Sequence, residues 1–86
     1  MSITEIRKGL RRLDFIPNED SRTDQHGTHV IVEFEVGAQL ARDQLVRINL
    51  GLRDGVTREL TGAPHLVDTS RGTPASYRYR LEGDVP

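Results

Sequence analysis

The sequence predicts an α+β fold, in which an N-terminal amphipathic helix packs on a four- to five-stranded antiparallel meander. Three observations predict it. Residues 30–36, 45–53 and 76–82 alternate apolar and polar side chains, the period of a strand with one dry face and one wet face. Asp54-Gly55, between alternating segments, is a strong hairpin signal. Ahead of them, Ile3, Ile6, Leu10 and Leu13 recur at helical spacing. The rival architecture is a small β-sandwich or barrel with a peripheral helix. A parallel nucleotide-binding sheet is excluded, because no crossover helix lies between the strands.

The helix is expected over 2–16. Ser2 at the N-cap and Glu5 three residues later form a capping box, each satisfying the other's exposed backbone N–H. Arg7, Lys8, Arg11 and Arg12 fall on the side opposite the apolar stripe. Gly9 inside the helix costs about 1 kcal/mol relative to Ala, and Pro17 ends it. Residues 17–28 contain no large apolar side chain to anchor them, so they read as a mobile loop.

Antiparallel strands are expected across 29–82. Residues 37–44 read as a wide hairpin connection with a helical turn in it. Around Asp54-Gly55 a two-residue loop would set Val56 and Leu60 on the face opposite Val46, Ile48, Leu50 and Leu52. A three-residue loop with Gly55 left-handed pairs Ile48 with Leu60 on one face, and that register is predicted. After Gly62-Ala63-Pro64 a strand restarts over 65–69, with Pro64 confined to an edge or bulge. The last strand, 76–82, turns Tyr77, Tyr79 and Leu81 inward and Arg78, Arg80 and Glu82 outward, and 83–86 is a frayed tail. No internal repeat divides the chain.

A chain of 86 residues is one small domain. Its core draws on Val, Ile and Leu, since there are two Phe, two Tyr and no Trp. Such a core is worth a few kcal/mol at most, about the margin that self-association or a partner would extend. Zero Cys removes disulfide scaffolds, thiol catalysis and thiolate metal sites. A net charge of −1 gives no global footprint for nucleic acid, so nucleic-acid binding would rest on a local patch. With no apolar run long enough for a signal peptide or membrane span, a soluble cytoplasmic protein is expected.

Four groups of side chains are candidates for chemistry. Ile3 to Phe15 followed by Gly27-Thr28-His29-Val30 resembles the start of HicA-type toxins, in which a helix and a Gly-Phe pair precede a Gly-Ser-His segment. Asp14 stands where that family has Gly. The resemblance implies an RNA-acting toxin with His29 as catalytic base. His26-x-x-His29 with Asp24 offers metal-ligating atoms in a loop without fixed geometry, so no metal or other cofactor is predicted. Glu33 and Glu35 share a strand face and read as partners for Arg47 or for Arg78 and Arg80 across neighbouring strands. These residues, with Arg53 and the basic group Arg7, Lys8, Arg11 and Arg12, are the candidate binding residues.

No nucleophile elbow, P-loop, dinucleotide fingerprint or His-Glu-x-x-His segment occurs, and no catalytic residue is assigned. The predicted function is therefore a non-enzymatic protein–protein interaction or assembly module. It binds itself or another protein through a strand edge or a charged sheet face, in the manner of an accessory subunit of a bacterial or phage complex. The HicA-like toxin is the alternative.

Overall fold

Eight strands and no helix make up the described residues of the computed structural model, which are 2–16, 24–52, 54–72 and 74–86. The expected helix is a β-hairpin. β1 (Ser2–Lys8) turns at Gly9-Leu10 into β2 (Arg11–Arg12), with Lys8 opposite Arg11. Two features of the sequence imitate a helix here. The register of β1 slips between Ile3 and Glu5, and the bulge turns both Ile3 and Ile6 toward the core although they stand three residues apart. Gly9, counted against a helix, is the first residue of a two-residue hairpin loop and has φ +62°. Positive φ at that position alone is the II′ pattern, whose twist matches the flanking strands. Leu10, on the supposed apolar stripe, is 92% exposed at the tip.

The remaining strands also come as hairpins. β3 (Asp24–His26) and β4 (His29–Val36) join through Gly27-Thr28, again with positive φ at the glycine. Of the mobile loop expected over 17–28, residues 17–23 lie outside the described residues, and the rest is this strand and turn. β5 (Val46–Gly51) and β6 (Thr57–Gly62) pair in the three-residue-loop register, with Ile48 opposite Leu60 and Gly55 at φ +82°. β7 (His65–Ser70) and β8 (Ser76–Asp84) complete the set.

Successive hairpins alternate between two four-stranded antiparallel sheets, so the connectivity is not a meander. The first sheet runs β2-β1-β5-β6 and the second β3-β4-β8-β7. Exchanging β1 with β5, β2 with β6, β3 with β7 and β4 with β8 reproduces both orders. The halves are thus topological duplicates with no matching sequence repeat. The connection over 37–45 is not a hairpin loop either, because it carries the chain from the second sheet back to the first. Ile16, the last residue of the expected helix, exchanges backbone hydrogen bonds with Glu35 at 2.8 and 3.3 Å, alongside β4.

One core lies between the sheets. Ile6, Ile48, Leu50 and Leu60 enter from the first, and Val30, Val32, Phe34, Tyr79 and Leu81 from the second. Phe34 stacks on Tyr79, with ring centroids 6.0 Å apart. The sheets come closest at β6 and β8: a Cβ on Gly62 would lie 2.8 Å from a Leu81 methyl group, so any larger residue there would have to displace the Leu81 side chain. The expected frayed tail is instead part of the fold. β8 runs through Asp84, Val85 is buried, and its N–H donates to the Thr28 carbonyl at 2.8 Å.

Candidate functional site

Tyr79 and Leu81 face the core as predicted, which sends Arg78, Arg80, Glu82 and Asp84 to the outer face of the second sheet. There β8 lies beside β4, so that Arg80 stands opposite Glu33, Arg78 opposite Glu35 and Asp84 opposite His29. Arg80 donates to one oxygen of Glu33 from Nε at 2.9 Å and from Nη2 at 2.7 Å. The Glu33 side chain is only 8% exposed although it points away from the core. Arg78 Nε lies 3.5 Å from Glu35 Oε1, an ion pair without hydrogen-bond geometry, and Asp68 of β7 stands opposite Arg78 in the strand register on the other side. The four candidates Glu33, Glu35, Arg78 and Arg80 therefore form one internally compensated ladder.

His29 closes the same ladder. Its Nε2 lies 2.9 Å from Glu82 and its Nδ1 3.4 Å from Asp84. The Glu82 hydrogen bond chiefly, opposed by desolvation and helped by Asp84, holds its pKa above the ordinary value. His26 stands opposite His29 and pairs with Asp24 at 3.1 Å. Among the described residues no group of three or more His, Cys, Asp or Glu side chains is arranged to hold a metal ion. The toxin resemblance began with a helix, and that segment is the β1–β2 hairpin.

Arg7 and Arg47 are brought together on the other sheet. The bulge in β1 puts Arg7 directly opposite Arg47 of β5 and, on its other side, Arg12 of β2. Lys8 and Arg11 form the next pair. They line a groove of about 340 Å³ between this hairpin and the Val36-Gly37-Ala38 segment. Arg53 lies outside the described residues.

The sequence pointed to a strand edge without saying which strand offers it. β2 has two residues, both Arg, and β3 has three. β6 carries Arg58 and Glu59. β7 differs from all of these, being six residues long and exposed along its whole length, with no Lys or Arg and one carboxylate, Asp68. Leu66 and Val67 are 43% and 45% exposed on it. Where β7 begins, a groove of about 390 Å³ opens among Leu40, Pro64, Leu66 and Tyr79, with the Tyr79 hydroxyl accepting the Leu40 N–H at 2.8 Å. The signal in the sequence was a strand with no lysine or arginine on it, interrupted only by Asp68 and, in the structure, by a register shift at Val67.

No known family, curated protein or solved structure matches this chain. Among the described residues no helix is long and apolar enough to cross a membrane.

Proposed function

We propose that this chain is a non-enzymatic assembly module that self-associates by strand addition, a second copy pairing along the open edge of β7. The observation that carries the reading is the contrast among edges. Among the described residues β2 and β3 have only two and three residues, and β6 carries Arg58 and Glu59, whereas β7 offers unpaired backbone groups beside Leu66 and Val67. Long exposed edges without a lysine or arginine recruit strands. In an antiparallel pair of copies β7 runs against itself with Val67 near the centre, and its single acid, Asp68, is then flanked by neutral residues. The second sheet would continue across the dimer axis as one eight-stranded sheet.

A six-residue strand contact is smaller than the roughly 1,600 Å² typical of a stable complex, so the association is weak and concentration-dependent. This is the behaviour of a subunit that assembles when its copies are brought together. The same proposal places it in the cytoplasm as an accessory subunit of a larger complex.

Sedimentation velocity over a wide range of protein concentration tests this. The wild type should pass from monomer to dimer at micromolar or higher concentration. Val67→Lys, at an exposed position, should stay monomeric with an unchanged melting temperature. A wild type that remains monomeric at the highest soluble concentration overturns the reading, as does a dimer that Val67→Lys leaves intact.

A further inference from the structure

We propose that the outer corner of the first sheet, where Arg12, Arg7 and Arg47 stand in a row, binds the phosphate backbone of a duplex nucleic acid. The row follows from the register. Arg12 pairs with Arg7 and Arg7 with Arg47, so three guanidinium groups cross three adjacent strands on the same face. At a strand spacing of about 4.8 Å the row spans about 10 Å. Like charges directly opposite each other weaken a sheet unless an anion lies between them. The chain as a whole carries a net charge of −1, so the cluster is local.

Arg47 reaches toward the hairpin turn, where its Nη2 donates to the Gly9 carbonyl at 3.3 Å. Glu5 accepts a hydrogen bond from Arg7. Arg11 and Arg12 have no ion-pair partner among the described residues, in contrast to the compensated ladder of the second sheet. Guanidinium forks match phosphate oxygens better than they match a diffuse anionic surface. The strands of this sheet carry no aromatic residue, so nothing offers stacking to unpaired bases. That favours a duplex over a single strand. The row lies on the sheet that does not contain β7, and the proposal stands independently of strand addition.

Fluorescence anisotropy with a labelled mixed-sequence DNA duplex, repeated over a series of salt concentrations, tests it. An RNA duplex, a single strand and vesicles of anionic phospholipid serve as the other arms. Three phosphate contacts predict a log–log salt slope of about −2.7, and Arg12→Ala should reduce its magnitude by about 0.9. Glu5→Gln frees Arg7 and should tighten binding about two- to fivefold. Arg42→Ala removes an equal charge from the other groove, beside Leu40 and Leu66, and should change little. Binding to either duplex supports the proposal, and the preferred duplex names the source of the phosphate. It is overturned if neither duplex binds at low salt, if Arg42→Ala weakens binding as much as Arg12→Ala, or if the single strand or the vesicles bind more tightly than the duplexes.

Discussion

Replacing Gly9 by alanine separates the hairpin from the helix by the sign of its effect. In a helix interior Gly→Ala stabilises by about 1 kcal/mol, because alanine has the better propensity and loses less backbone entropy. In the structure Gly9 has φ +62°, where an L-residue suffers a steric penalty of about 1–2 kcal/mol. Nothing lies within 4 Å of the position a Cβ would take, so no packing clash adds to this. The restricted unfolded chain returns about 0.4–1 kcal/mol. The net result is a loss of roughly 1 kcal/mol, which for a domain of this size lowers the melting temperature by about 4–8 °C. Thermal and urea denaturation followed by circular dichroism measure it directly. A Gly9→Ala protein more stable than the wild type would refute the hairpin and the reasoning about the turn.

Other substitutions probe the ladder and the core. Arg80→Ala leaves the buried Glu33 carboxylate without its two hydrogen bonds and should cost about 2 kcal/mol in urea unfolding. Glu33→Thr combined with Arg80→Thr should cost less than that single change, because no charge is stranded. Tyr79→Phe orphans the buried Leu40 N–H and should lower stability by about 1 kcal/mol. His29 should titrate by NMR above its ordinary value of about 6.5, and Glu82→Gln should bring it back down. Since its folded-state pKa is the raised one, its contribution to stability is complete below the unfolded value and fades as pH rises through the folded one.

What was legible in the sequence was the phase of the strands. Alternation placed Tyr79 and Leu81 inside, set Arg78 and Arg80 outside, and selected the register that joins Ile48 to Leu60. Phase is a local property, and local rules failed where the chain departs from regular alternation. The bulge in β1 gave Ile3 and Ile6 a helix-like spacing, and a glycine that reads as a helix defect is the turn. The assignment of hairpins to alternate sheets depends on β1 meeting β5 and β4 meeting β8, pairings far apart in sequence that no local pattern encodes. The surfaces divide in the same way. Glu33, Glu35, Arg78 and Arg80 could be matched by parity alone. The meeting of Arg7, Arg12 and Arg47 required the bulge and the hairpin, and β7 became conspicuous only once its neighbours in the sheet were known.

Strand addition at β7 is the central claim, and amide hydrogen exchange at residues 65–70, compared between dilute and concentrated protein, tests it most directly. Protection should rise with concentration along β7 while the edges at β2 and β3 stay unchanged, and Val67→Lys should abolish the rise. Exchange along β7 that is independent of concentration, or concentration-dependent protection at another edge, would contradict it.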